Sequence, residues 1–259
     1  MVKQAKSCVR VLCTYFYLVV INMVSPAFAE SGIKPILNIA TIPLPPWGYK
    51  KPNRAPTGIC YEWANAIAKR MGRKAHNRIL PMSRVFKALE YGRADFSIML
   101  RTPSSEKISV PVANVGIPFR TIIWPRKDMS IGSYADLTNI RLSMARGLKV
   151  GGKFKDQKNL NITSSIDYIH SMHMFKANRV DAIVGTEQSL AYNAKRIGLS
   201  PQKDFGTPFE LAKLEGWVQA SHDYIEREGL ENIQKAATSL IEDGTFEAIY
   251  KKYTLAPQN

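Results

Sequence analysis

Pro81-Met82-Ser83-Arg84-Val85-Phe86-Lys87-Ala88-Leu89-Glu90-Tyr91-Gly92-Arg93-Ala94-Asp95-Phe96-Ser97-Ile98-Met99-Leu100-Arg101-Thr102-Pro103 is the stretch on which the reading of this chain turns. Ser83 can cap a short helix on which Val85, Phe86 and Leu89 share one face. Gly92 supplies the left-handed residue that stops a helix. Phe96, Ile98 and Leu100 then alternate with Ser97 and Met99, the period-two signature of a strand. That strand delivers Arg101 and Thr102 to its carboxyl end, where an open α/β sheet binds its ligands.

The same succession returns about 85 residues further on, in Met174-Phe175-Lys176-Ala177-Asn178-Arg179-Val180-Asp181-Ala182-Ile183-Val184. A helix end, Asn178 as the alternative left-handed stop, an Arg-x-Asp step and a buried strand follow one another again. The echo implies two lobes built alike.

The 259 residues allow one large domain or two of ordinary size, and 45% apolar content is ample for a core. Residues 1–29 read as a separate object. Lys3, Lys6 and Arg10 form a positive start, Val11 to Val24 is apolar, and Ala27-Phe28-Ala29 offers small residues for cleavage. The apolar run is shorter than the ~20 residues of a membrane span, so a signal peptide removed after Ala29 is expected. Cys8 and Cys13 leave with it, and Cys60 remains alone, so no intramolecular disulfide can form. The expected product is exported to a periplasm.

The formal charge of +15 is a second constraint. Such a balance suits nucleic acid, anionic lipid or an acidic ligand. Export argues against nucleic acid, and the cations are scattered (Lys50-Lys51, Arg73-Lys74, Lys251-Lys252), so most belong to a solvated surface.

Leu37 to Thr41 reads as a first strand, followed by a proline-stiffened loop, Pro43 to Tyr49, that holds Trp47 either as a ligand wall or as a buried plug. A helix begins at Thr57-Gly58 and ends at Gly72, and a strand lies near Asn77 to Leu80. Phe119 to Trp124 is a strand crossing to the second lobe, and Gly216 to Ala220 crosses back. Between them come a turn at Ser133 to Leu137, strands at Ile140 to Ala145 and Ala182 to Val184, and helices at Ser164 to Ala177 and Gln188 to Ile197. Helix resumes from Gly229.

Gly147-x4-Gly152-Lys153 nearly matches a phosphate loop, but Phe154 stands where the magnesium-binding Ser or Thr belongs. The loop can still hold a small anion on its backbone, helped by Arg146 and Lys149. His170 and His173 have helical spacing but lack a third metal ligand. Asp95 and Asp181 read as residues that bond backbone at strand starts. There is no nucleophile elbow, zinc-protease motif or Cys–His pair, and no cofactor is implied.

Taken together these features resemble the periplasmic solute-binding proteins of family 3, the polar amino-acid type. The likeness is carried by Thr57-Gly58, Ala88-Leu89-x-x-Gly92-Arg93-x-Asp95, Thr102-Pro103, Asp136-Leu137, Asn178-Arg179-Val180-Asp181-Ala182 and Asp243-Gly244-Thr245-Phe246-x-x-Ile249-Tyr250-x-Lys252-Tyr253. It implies a two-lobed α/β fold of type II, each lobe a mixed sheet flanked by helices, with two hinge crossings. Residues 30–120 and 214–259 would form the first lobe and 121–213 the second. A small solute would be held between them for a membrane transporter or a sensor, by a monomeric non-enzyme. An exported enzyme on the same scaffold, like the cyclohexadienyl dehydratases, is the competing class.

Carried over by position, the resemblance implies Trp47 and Met82 as wall residues, Thr102 as a backbone and hydroxyl contact, and Gly147, Leu148 and Lys149 as the second lobe's ligand loop. Thr186 or Glu187 falls where an acid usually grips an α-amino group. The family's carboxylate-binding arginine is Ser105 here, and Arg84 or Arg101 is the candidate replacement. A small polar solute, anionic or amino-acid-like, is therefore expected, and a standard α-amino acid fits these departures least well.

Overall fold

The computed structural model describes residues 35–148 and 150–254. The expected leader and Lys149 lie outside them. One eight-stranded sheet runs through the described chain, its strands side by side in the order Ala75–Ile79, Leu37–Thr41, Phe96–Leu100, Phe209–Ser221, Ser109–Pro125, Ala182–Thr186, Arg141–Ala145 and Asn161–Ser165.

The first half of the sheet opens with β1 (Leu37–Thr41), whose alternation was legible. Helix α1 (Ile59–Arg70) follows the proline loop and stops at Gly72, which has φ 66°. The strand β2 (Ala75–Ile79) pairs parallel with β1 at one sheet edge. Helix α2 (Met82–Glu90) then buries Val85, Ala88 and Leu89. Its N-cap is Pro81, so Ser83 lies inside the first turn and caps nothing, a correction to the sequence reading. Proline's fixed φ and missing N–H suit that entry point. Gly92 is left-handed at φ 62° and releases the chain into β3 (Phe96–Leu100). Because β3 is central, both of its faces are buried.

Two long strands join the halves. β4 (Ser109–Pro125) and β8 (Phe209–Ser221) pair antiparallel along most of their length. Only Phe119 to Trp124 and Gly216 to Ala220 were readable as strand. Pro111, Gly116 and Pro118 hide the rest of β4, and its register against β8 shifts between Asn114 and Pro118.

In the second half, β5 (Arg141–Ala145) pairs parallel with β6 (Asn161–Ser165) and β7 (Ala182–Thr186). β6 was missed: Ser164 and Ser165, assigned to a helix by sequence, end this edge strand, and the helix starts at Tyr168. Four of its five residues are exposed, so no apolar alternation marks it. Further helices follow in chain order: α3 (Pro103–Glu106), α4 (Gly152–Lys155), α5 (Tyr168–Lys176), α6 (Glu187–Arg196), α7 (Pro201–Asp204), α8 (His222–Glu228), α9 (Glu231–Glu242) and α10 (Thr245–Thr254).

Each half has apolar packing on both faces. Leu37, Ile39, Trp63, Phe96, Val218 and Phe246 form one cluster, with Ala40, Val85, Leu89 and Met99 opposite. Ile122, Trp124, Phe175, Ile183 and Leu190 form another, with Ile123, Leu142, Phe154 and Val184 opposite. Phe154, which displaces the magnesium-binding residue of a phosphate loop, is thus a core side chain. No helix among the described residues is long and apolar enough to cross a membrane.

Candidate functional site

Strand register places the site. β3 runs antiparallel to β8, with Leu100 opposite Gly216; β7 runs antiparallel to β4, with Thr186 opposite Thr121. Phe119 faces Leu214 and Thr121 faces Ala212 along the ribbon. The carboxyl ends of β3 and β7 therefore run toward each other from the two halves and stop beside the middle of the β4–β8 ribbon. The parallel partners β1, β2, β5 and β6 share those directions, and the carboxyl ends of such strands are where sheets of this kind bind ligands.

On the first side, Thr102 is the N-cap of α3. Its hydroxyl accepts from the Ser105 amide at 3.2 Å, and its own amide donates to Ser105 Oγ at 2.9 Å. Ser105 is fully buried and donates in turn to the Thr102 carbonyl at 3.0 Å. Ser105, the position at which the resemblance leads one to expect a guanidinium, is thus closed into a capping box.

Arg101 stands outside that box, on the next residue toward the strand. Its amide donates to the Glu215 carbonyl at 3.0 Å, its guanidinium lies 4.8 Å from the ring centre of Trp217, and its Nε donates to Glu106 at 2.5 Å. Trp217 donates from Nε1 to Glu215 at 3.1 Å. The Trp217 ring and the Glu106 bond at Nε orient the guanidinium. Met82, at the start of α2, is 54% exposed, and Arg84 is exposed beside it.

Trp47 is placed otherwise. It is 3% exposed and stacks on Phe119 with ring centres 4.0 Å apart, with Trp63 and Tyr250 at 6.4 and 6.3 Å. Of its two sequence readings, the buried plug is the one the packing favours: the proline loop turns the indole into the core.

On the second side, Arg146 and Gly147 follow β5 in the open, and Gly147 takes φ 82°. Leu148 is half-buried and packs under the loop. Thr186, at the end of β7, is 9% exposed, and its amide donates to the Tyr168 hydroxyl at 3.3 Å. Burial pushes the Tyr168 phenol above its ordinary value.

Glu187 opens α6 and turns to the ribbon. Both of its oxygens accept from Arg120 Nη1, at 3.1 and 2.9 Å, while Arg120 Nε donates to Glu210 at 2.7 Å. The Glu210 bond, with Glu187 beside it, holds the Arg120 guanidinium above its ordinary value. Arg120, Glu210, Glu106 and Trp217 had no sequence signal as a set, because their contacts depend on strand register. His170 and His173 are exposed on α5, and no three metal-ligating side chains come together among the described residues.

The sequence profile of the bacterial extracellular solute-binding proteins, family 3, matches residues 37–256. No curated protein matches. Among solved structures, the substrate-binding protein of an amino acid ABC transporter is similar at 17% identity and a TM-score of 0.66, over 86% of this chain and 100% of that one. The ancestral amino acid-binding protein AncCDT-1, a precursor of cyclohexadienyl dehydratase, is 20% identical over 85% of this chain and 95% of its own, with a TM-score of 0.66. A histidine kinase sensor domain with similarity to periplasmic binding proteins is 18% identical over 84% and 95%, with a TM-score of 0.64. These likenesses establish the two-lobed fold.

Proposed function

Because this chain belongs to the bacterial extracellular solute-binding proteins, family 3, we propose that it captures a small polar solute between its two lobes. The observation that carries this reading is the meeting of the two halves' strand ends at the β4–β8 ribbon, the pair of strands common to both halves among the described residues. On this reading residues 30–120 with 214–259 form one lobe and 121–213 the other, and the ribbon is the hinge. The protein is exported after loss of residues 1–29 and acts as a monomer in the periplasm.

The solute carries an anionic group. Arg101 is the group that meets it, because Trp217 and Glu106 already orient its guanidinium. Met82, Thr102, Gly147, Leu148 and Thr186 complete the cleft, and Trp47 supports it from the core.

The loaded protein delivers to a membrane permease, in keeping with the transporter-associated neighbour; a sensor partner is the second reading, supported by the likeness to a histidine kinase sensor domain. An enzyme would need an acid presented to the cleft, and Glu187 instead faces Arg120. Turnover of prephenate or arogenate by the purified protein tests this. Binding without turnover is expected, and measurable product would replace the reading by an enzymatic one.

A further inference from the structure

Helix α6 belongs to the second half, yet one stripe of it is bonded to the first. Gln188, Tyr192 and Lys195 recur at i, i+4 and i+7 and so share a face. Gln188 Nε2 donates to the Pro118 carbonyl at 3.0 Å, and its side chain also bonds the Tyr250 hydroxyl. Tyr192 meets Tyr49 with ring centres 5.6 Å apart and shares a side-chain hydrogen bond with it. Lys195 Nζ donates to the Thr254 carbonyl at 3.1 Å. Leu44 packs against apolar clusters of both halves.

The first-half partners are held in place by their own lobe. Tyr49 and Thr57 exchange amide-to-carbonyl bonds at 2.8 and 2.9 Å. Lys252 and Tyr253, the residues just before Thr254, both donate to Glu62 on α1. The cleft walls, by contrast, are not joined. Among the described residues no hydrogen bond or ion pair links Met82, Arg101 or Thr102 to Gly147, Leu148 or Thr186. The seam along α6 is therefore made while the walls of the cleft stand unlinked. Lys195 lies ~12 Å along α6 from Glu187, at ~1.5 Å per residue. A lobe rotation on the order of 15° moves a point at that distance from its pivot by ~3 Å, which ends a hydrogen bond.

We infer that this seam is a brake on closure: it stabilises the parted lobes, and capturing a solute breaks it. This rests on the solute-capture reading above and adds what sets the affinity. A protein whose binding-competent arrangement is rarer binds more weakly by the same factor. Loosening the seam therefore tightens binding, although none of its side chains is assigned to the cleft.

The test is the triple variant Gln188→Ala, Tyr192→Phe, Lys195→Ala in the mature protein. Lys176→Ala is the control, because Lys176 makes the same kind of bond, to the Ile197 carbonyl at 2.9 Å, inside the second half. Spin labels at Lys87→Cys and Lys155→Cys, both exposed and on opposite halves, report lobe separation by pulsed electron resonance; Cys60 is buried and escapes labelling. With no solute added, the triple variant should populate shorter distances and the control should not. Calorimetry with L-glutamate, L-arginine, L-malate and 2-oxoglutarate should then show at least threefold tighter binding of any member that the unsubstituted protein binds. Unchanged or longer distances in the triple variant overturn the brake, as do shorter distances with equal or weaker binding. Binding of no panel member by either protein counts against solute capture and leaves the distances to decide the brake.

Discussion

Asp181 and Arg141 are joined by a closed pair of backbone-anchored bonds: the Asp181 amide donates to the Arg141 carbonyl at 2.8 Å, and Asp181 Oδ2 accepts from the Arg141 amide at 2.9 Å. Asp95 repeats this with Asn38 in the other half, at 2.7 and 2.6 Å. Both aspartates enter a strand and latch its first parallel neighbour. Both also engage an arginine side chain, Arg141 and Arg227. The repeated aspartate after each helix stop therefore has a structural cause.

Arg141 holds the Asp181 carboxyl below its usual range. A carboxyl whose folded value lies below its unfolded one, ~3.9, adds stability that is complete above about pH 5 and fades as pH falls through the folded value. Asp181→Asn should cost about 1 kcal/mol at pH 7, since Arg141 is half-exposed and partly screened. Urea unfolding at pH 7 and pH 3 checks this. The gap between the proteins should narrow at pH 3; a gap that widens there contradicts it.

The two helix stops make a second comparison. Gly92 and Asn178 take φ 62° and 57°. A Cβ on Gly92 would fall 2.7 Å from Asp223 Cγ. Gly92→Ala should cost roughly 1–2 kcal/mol from the left-handed backbone alone, and more unless Asp223 moves. Asn178→Gly should change stability by under ~0.5 kcal/mol, since glycine adopts that conformation freely. Equal losses in denaturant melts would show that backbone conformation does not decide these positions.

Trp47 and Met82 separate packing from binding. Trp47→Ala removes a stacked core ring and should lower stability by about 3–5 kcal/mol. Trp47→Phe, which keeps a ring on Phe119, should lose less. Met82→Ala should leave the melting curve within about 0.5 kcal/mol, as exposed positions do, and alter solute affinity instead. Stability unaffected at Trp47 would return that indole to the cleft wall.

Legibility followed burial. Leu37 to Thr41 and Ala182 to Val184 were readable because their side chains are buried in apolar surroundings. Asn161 to Ser165 was not, because a polar edge strand owes its place to the ladder with β5 rather than to its own pattern. Ser83 misled because it fits a cap by type, while Pro81 fixes the turn two residues earlier. In the cleft, Arg101 and Glu187 were visible as candidates. Their partners Trp217, Glu106, Arg120 and Glu210 were not, because a cross-strand contact needs a register that sequence spacing does not contain.

Arg101 and Arg84 provide the binding comparison. Arg101 is oriented by Trp217 and Glu106, so its loss should weaken capture of a carboxylate by roughly thirtyfold, or about 2 kcal/mol. Arg84, on the exposed start of α2, should cost under ~1 kcal/mol. Calorimetry with the tightest-binding acid reads both. Equal small losses would mean that neither guanidinium meets the solute.

The central claim is that two lobes hinged on the β4–β8 ribbon close on a solute. Solution X-ray scattering of the mature protein, alone and saturated with the solute that raises its melting temperature most, measures this directly. A smaller radius of gyration in the saturated protein is the result expected of the clamp. An unchanged scattering profile at confirmed saturation would contradict it.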